Sequence, residues 1–364
     1  MNIPFLPLKS LNQPYTEEFK NIFEEFLESG YYILGKGVKD FEEEFANYCQ
    51  TEYAIGVANG LDALELIFQS LNLPENSEII VPANTYYASI ISVINSGLNP
   101  IFAEPKYHDF LIDPEDITKK ITPKTKAILA VNLYGKMCDY NELLKICEDH
   151  HLYLIIDAAQ SHGAEYKDKR NISGAIATAY SFYPTKNLGA LADAGAVVTD
   201  NFEVFEKISK LRNYGSNVRY NFELVGKNSR LSELQAKFLS QKLKNLDEEI
   251  NTRRKIAGYY FQNIRNKNII LPPSDSLNED AWHLFVIKTK ERERFTKYLT
   301  EAGIGFDIHY PKAPHHQIAL EKYNKLNLPI TEQIHREVVS LPLNSTLKEE
   351  EIAYIADKIN KFMP

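Results

Sequence analysis

Cysteine is scarce: three residues in 364, at Cys49, Cys138 and Cys147. An odd number with no metal-type spacing excludes a disulfide framework and a thiolate metal cluster, and reduced thiols in a cytoplasmic setting are the expectation. Long apolar runs are missing as well. None approaches the ~20 residues of a membrane-spanning helix, so no membrane partner is expected. Met1–Ser10 has no apolar core of the signal-peptide kind. A basic excess is also absent: 41 Lys and Arg stand against 49 Asp and Glu, a formal net charge of −8. That balance offers no basic face to a nucleic acid. There is no repeat and no low-complexity tract. Tryptophan occurs once against 22 tyrosines, and the tyrosines suit core packing and stacking on sugars or bases equally.

What is present reads as a large domain followed by a smaller one, since 364 residues exceed a typical single core. Seven short apolar runs, 53–58, 78–82, 99–104, 126–132, 152–156, 178–182 and 195–199, have strand length. Helical spacing between most of them predicts an α/β fold with a mostly parallel, doubly wound sheet. Residues 16–29 and 38–48 carry apolar side chains at helical spacing. A further helix is expected over 202–212, and a long one from Ser232 through Arg254. After Tyr259 the pattern changes. Residues 282–289 alternate like a strand with one exposed face, 292–302 read as a helix stopped by Gly303, and 306–311 read as a strand ending at Pro311. The expected division is a large domain over 1–250 and a small α+β domain over 251–364.

Three features converge at the carboxyl ends of the predicted strands, where open α/β sheets hold ligands. One apolar run ends in Asp157-Ala158-Ala159-Gln160. Another ends in Ser181-Phe182-Tyr183-Pro184-Thr185-Lys186. After the first strand, Asn59-Gly60-Leu61 turns directly into a helix, and a helix N-terminus offers free N–H groups to an anion. Singly, these are an ordinary cap, a solvated lysine and a common turn. Together they place a carboxylate, an amine and an anion site in one crevice. Pyridoxal phosphate needs all three: a Schiff-base lysine, an acid for the pyridinium nitrogen and a phosphate cradle.

The same residues lie within ordered motifs along the whole chain. These are Gly35-Lys36-Gly37-Val38, Asn59-Gly60-Leu61-Asp62-Ala63-Leu64, Val81-Pro82-Ala83-Asn84-Thr85-Tyr86, Asp157-Ala158-Ala159-Gln160, Ser181 through Gly189, and Gly226-Lys227-Asn228-Ser229-Arg230-Leu231. In this the chain resembles the DegT/StrS family of sugar aminotransferases, which are fold-type I pyridoxal-phosphate enzymes. The resemblance implies that Lys186 forms the Schiff base and then moves the Cα proton. It implies that Asp157 holds the ring nitrogen, Gln160 the ring hydroxyl and Tyr86 the ring face, with Gly60, Leu61 and Ser181 on the phosphate. Asn228 would reach the phosphate of a neighbouring subunit, implying a homodimer with shared sites. His162 either lines the site or packs in the core. One departure stands out: the family's Gly-Asp-Gly-Gly is Ala192-Asp193-Ala194-Gly195 here, which matters only if the alanines need positive φ.

Two further stretches narrow the resemblance. Tyr214-Gly215-Ser216 with Arg219-Tyr220, and Ile308-His309-Tyr310-Pro311 with His315 and Gln317, are similar to the branch that makes dTDP-3-amino-3,6-dideoxyhexoses. The implied reaction moves an amino group from L-glutamate to the C3 keto group of a dTDP-3-keto-6-deoxyhexose. Tyr31, Tyr183, Arg219, Tyr220, His309 and Tyr310 are the expected substrate contacts. A C4 aminotransferase on a nucleotide-linked 4-keto sugar is the alternative. Sugar dehydratases with histidine in place of the lysine are opposed by Lys186, and cysteine desulfurases by the lack of any cysteine after Cys147. A cofactor-binding regulator without turnover has no need of a complete Lys186, Asp157 and Gln160 set.

Overall fold

Each of the seven apolar runs is a strand in the computed structural model, which describes residues 1–364. They are β1 (Tyr53–Val57), β2 (Glu78–Pro82), β3 (Asn99–Ala103), β4 (Thr125–Val131), β5 (Tyr153–Asp157), β6 (Ala177–Ser181) and β7 (Gly195–Thr199). They form one sheet in the order β1-β7-β6-β5-β4-β2-β3. Every pairing from β6 to β3 is parallel, and β7 runs antiparallel to both of its neighbours. Helices cover both faces, so the strands are apolar nearly throughout rather than alternating. All five residues of β7 are buried.

On one face, Phe45 of the helix Lys36–Cys49 meets Tyr180 and Phe182 edge-on at 5.0 and 5.1 Å. On the other, Leu64, Ile67 and Phe68 of the helix Gly60–Ser70 pack with Ile55, Ala179 and Val197. Burying one such aromatic or leucine stabilises by ~1.5–3 kcal/mol. The helix Lys36–Cys49 starts without a side-chain cap of its own. Its free N–H groups are instead taken by Glu233, whose carboxylate accepts from Gly35, Gly37 and Val38 at 2.9, 2.5 and 3.1 Å. A buried anion at a helix N-terminus is favoured by the helix dipole, and here it joins two helices about two hundred residues apart.

The second unit is built on an antiparallel pair, β8 (Phe285–Lys288) with β9 (Val338–Leu341). Its apolar cluster draws on the helices Leu246–Asn263, Arg292–Glu301 and Glu349–Lys361. It also includes Ile3. The Ile3 N–H donates to the Gly303 carbonyl at 2.8 Å, and its carbonyl accepts from Gly305 at 2.7 Å. The first residues of the chain therefore belong to this unit. A boundary at residue 250 falls inside the helix Leu246–Asn263.

Three expectations are corrected. The long helix from Ser232 is two, Glu233–Leu243 and Leu246–Asn263, broken at Lys244-Asn245. The strand within 282–289 has no exposed face: Val286 packs into the large-domain cluster and Phe285 and Ile287 into the small one. Residues 306–311 are not a strand. Asp307 pairs with Ser340 through two backbone bonds, but Pro311 has no N–H to continue the ladder and the Tyr310 carbonyl is held by His335. No helix is long and apolar enough to cross a membrane.

Candidate active site

The parallel register brings Asp157, the last residue of β5, beside Ala179 of β6, and Ser181 ends β6. Both open into a cavity of about 510 Å³ at the carboxyl edge of the sheet, lined also by Gly60, Leu61, Tyr86, Gln160 and Lys186. Tyr183, His309 and Tyr310 complete its outer wall.

Asp157 is buried, and burial raises its carboxyl pKa by penalising the charged form. Three groups oppose this: the Ser89 hydroxyl donates to Oδ2 at 2.8 Å, the Ala159 N–H to Oδ1 at 3.1 Å, and Lys186 adds a nearby positive charge. The Ser89 oxygen lies 2.8 Å from the Thr85 hydroxyl. Because Ser89 spends its proton on Asp157, Thr85 is the donor of that second bond.

Lys186 sits in the turn after Ser181, with its N–H donating to the Tyr183 carbonyl at 2.8 Å. Burial pushes its ammonium down to about 8, and Asp157 pulls the other way. A lysine poised there exchanges its proton near neutral pH. The next residue, Asn187, donates from Nδ2 to the Ala281 carbonyl at 2.9 Å and so presents Oδ1 to His283 Nδ1 at 3.2 Å. That contact makes Nδ1 the protonated nitrogen of His283 and leaves Nε2 as an acceptor. Burial and the neighbouring Lys186 keep the imidazole neutral.

Gln160 accepts from the Tyr134 N–H at 2.8 Å and donates to the Tyr310 hydroxyl at 2.9 Å, keeping its second amide hydrogen. The Tyr86 and Tyr310 rings lie 5.4 Å apart, tilted by 41°. At the helix start, the Asn59 side chain caps the Asp62 N–H at 2.8 Å. This leaves the N–H groups of Gly60 and Leu61, which no carbonyl of the helix can reach, for a ligand. A Cβ on Gly60 would stand 2.7 Å from the Ser181 Cβ, closing the cradle. Neither Ala192 nor Ala194 has positive φ, so the departure from the family's glycines is accommodated. Gly195 is the glycine this turn requires, since a Cβ there would lie 2.5 Å from the Asn59 carbonyl carbon.

The structure does not bring every expected residue together. Tyr31 is 74% exposed and outside the cavity. Arg219 and Tyr220 line a separate surface hollow, with Arg219 Nη2 3.0 Å from the Tyr220 hydroxyl. Asn228 pairs with Asn213 and is also outside the cavity of its own chain. His162 is buried against Tyr180 and Phe182 and does not line the cavity, so it is a core histidine, pushed down to about 3 by burial. Sequence reasoning missed Ser89, Thr85 and His283. None of the three carries a mark in the sequence: Ser89 and Thr85 are ordinary hydroxyls, and His283 stands within the alternating stretch 282–289.

A buried carboxylate, a lysine at its edge and an anion cradle fit pyridoxal phosphate, and on this sheet they define a fold-type I pyridoxal-phosphate enzyme. The chain belongs to the DegT/DnrJ/EryC1/StrS aminotransferase family, whose model matches residues 13–360. It is 47% identical over 360 residues, 99% of each chain, to dTDP-3-amino-3,6-dideoxy-alpha-D-galactopyranose transaminase of Aneurinibacillus thermoaerophilus. It is 38% identical, over 99% of this chain and 96% of the relative, to dTDP-3-amino-3,4,6-trideoxy-alpha-D-glucose transaminase of Streptomyces venezuelae. Among solved structures, Streptomyces venezuelae DesV superposes with a TM-score of 0.96 at 37% identity, over 99% of this chain and 98% of that one. NtdA of Bacillus subtilis, solved with bound cofactor PMP, gives 0.91 at 31%, over 98% and 84%. The chain is a pyridoxal-phosphate-dependent aminotransferase.

Proposed function

We propose that this enzyme transfers an amino group from L-glutamate to the C3 keto group of a dTDP-3-keto-6-deoxyhexose, giving a dTDP-3-amino-3,6-dideoxyhexose. The observation that carries the reading is full-length identity of 47% to a transaminase whose named product bears its amine at C3. The Streptomyces relative supports C3 over C4, because its named product has no oxygen or nitrogen left at C4.

When bound, pyridoxal phosphate supplies an aldehyde for amines and a protonated ring that accepts the electron pair released at Cα. The chain supplies the rest. Asp157 stays anionic through Ser89 and the Ala159 N–H, and so holds a proton on the ring nitrogen. The N–H groups of Gly60 and Leu61, with the Ser181 hydroxyl, anchor the phosphate. Tyr86 covers one ring face. With the cofactor bound, Lys186 would take the Cα proton of the donor as a neutral base; its lowered pKa suits that work. In the second half-reaction, run in reverse, the same amine would deliver a proton to C3 of the sugar. Tyr183, His309 and Tyr310 line the cavity and would contact the hexose.

A homodimer completes the site in this reading. Asn228 and the exposed Tyr31, Arg219 and Tyr220 lie outside the cavity of their own chain and would serve the partner's. Exposed Ile33, Phe222 and Val225 in the same segments support a covered face. We place the enzyme in the cytoplasm, with no nucleic acid or membrane partner.

The test follows the absorbance of the cofactor-loaded enzyme. L-Glutamate should bleach the Schiff-base band, and dTDP-3-keto-6-deoxyhexose alone should restore it, with NMR placing the new amine at C3. Restoration only by a 4-keto sugar would move the reaction to C4. Failure of every amino donor to bleach the band would remove the aminotransferase chemistry.

A further inference from the structure

His315 and His316 lie in the single turn Pro314–His316, just past the cavity residues His309 and Tyr310. Glu332 projects toward them from the helix Pro329–Glu337. The His315 and His316 Nε2 atoms approach the same oxygen, Glu332 Oε1, at 3.5 and 3.9 Å. The three potential ligand atoms all fall within 4.8 Å of one another. None of these residues lines the catalytic cavity.

Like the core His162, His315 has a fully buried side chain and no hydrogen-bond partner on either ring nitrogen. Unlike His162, which packs against aromatic rings, it has a second imidazole and a carboxylate within 4.8 Å, so its unsatisfied nitrogen faces a set of possible ligands. A simple ion pair serves poorly. Two imidazolium rings with centroids 4.0 Å apart would repel, and one carboxylate oxygen would have to answer both. The other oxygen of Glu332 already faces Arg336 Nη1 at 3.7 Å. The geometry matches a coordination shell better. Zinc bound at ~2.0–2.1 Å to nitrogen and oxygen in a tetrahedron sets neighbouring ligands ~3.3 Å apart, close to the 3.5 and 3.9 Å found here.

We propose that His315, His316 and Glu332 bind a divalent transition-metal ion of the zinc class, with water as the fourth ligand. Two imidazoles and one carboxylate favour such an ion over magnesium or calcium, which prefer all-oxygen shells. The ion ties the segment behind His309 and Tyr310 to the helix Pro329–Glu337. That helix already grips the segment, because His335 Nδ1 donates to the Tyr310 carbonyl at 2.8 Å. The metal acts as a staple on the wall of the active site, outside the chemistry.

The test uses tag-free, cofactor-loaded protein stripped with a chelator and titrated calorimetrically with ZnCl₂ and, separately, MgCl₂. One zinc per chain is expected and no magnesium. His316→Leu, at a half-exposed position, and Glu332→Gln should each weaken zinc binding at least tenfold. Zinc should raise the Tm of the parent but not of His316→Leu, and crystals grown with zinc should show an anomalous peak between the three side chains. Absence of stoichiometric binding, equal affinity in both variants, or a peak elsewhere would overturn the site. The outcome is independent of which sugar the enzyme aminates.

Discussion

The Ser89 hydroxyl donates to Asp157 at 2.8 Å from 68 residues earlier in the chain, and Thr85 donates to Ser89 in turn. A carboxylate that must stay charged in a buried place depends on such donors. Ser89→Ala removes one and pushes the Asp157 carboxyl further up, weakening its hold on the ring nitrogen. A hydrogen bond to a charged group contributes ~1.5–3 kcal/mol, so cofactor affinity should fall ~10–100-fold. Titration of the stripped protein with pyridoxal phosphate measures this, and an unchanged Kd would contradict the assigned role of Ser89.

Lys186 carries a pH signature. With its ammonium pushed down to about 8, the cofactor-free protein should react with amine-directed reagents at that residue with a midpoint near pH 8. Surface lysines should titrate near ~10.4. Peptide mapping after brief labelling reads both at once. The linkage has a definite sign. Between the folded and unfolded values the unfolded chain binds more protons, so this group's contribution to stability rises with pH there. Below pH 8 both states are protonated and the burial penalty is paid in full. Lys186→Met should therefore raise the Tm of the cofactor-free protein at pH 7 while abolishing transfer. A lower Tm would show that burial does not strain the lysine.

Gly60→Ala tests the phosphate cradle. The added methyl meets Ser181 at 2.7 Å, at the start of a helix whose other residues are unaffected. Cofactor affinity should drop more than tenfold with an unchanged circular dichroism spectrum. Tight binding by this variant would place the phosphate elsewhere.

Glu233 gives a prediction about stability alone. It answers the N–H of Gly35 and those of Gly37 and Val38 in the first turn of the helix Lys36–Cys49, and is 3% exposed. Glu233→Gln removes the charge while keeping the shape, and should cost ~1.5–3 kcal/mol by urea denaturation. A loss under 0.5 kcal/mol, the scale of an ordinary surface change, would contradict the capping role.

The strands were legible because burial on both faces writes them as unbroken apolar runs, as in 152–156 and 195–199. Asp157, Lys186 and Gly60 were legible because each stands where a strand ends and a helix or turn begins. Ser89 was not: a serine inside the helix Tyr87–Asn95 carries no mark until the fold aims it at Asp157. His283 was hidden by the alternation around it, which suggested a strand half in water. In fact β8 lies between two cores. The stretch 306–311 misled for the opposite reason. Its apolar residues belong to an extended segment whose backbone bonds go to Ser340 and to the side chains of Asp307, Tyr134 and His335 rather than to a ladder. Tyr31, Arg219, Tyr220 and Asn228 rest on the family resemblance, and a single chain does not gather them.

Ile3 lies in the small unit although the chain from Thr16 onward builds the large one, and the helix Leu246–Asn263 crosses back. The polypeptide thus passes between the two bodies twice. Bodies joined by one strand can swivel in any direction, whereas two separate straps leave a door hinge, with one easy axis running through both crossings. Residues 309 and 310 could move with the small unit only by parting Tyr310 from Gln160 and His309 from Tyr134, and such an opening would follow a single arc. Cutting the first strap should free that motion. A chain lacking residues 1–7 should bind the nucleotide sugar with a higher KM and little change in its affinity for the cofactor, whose contacts all sit on the other leaf.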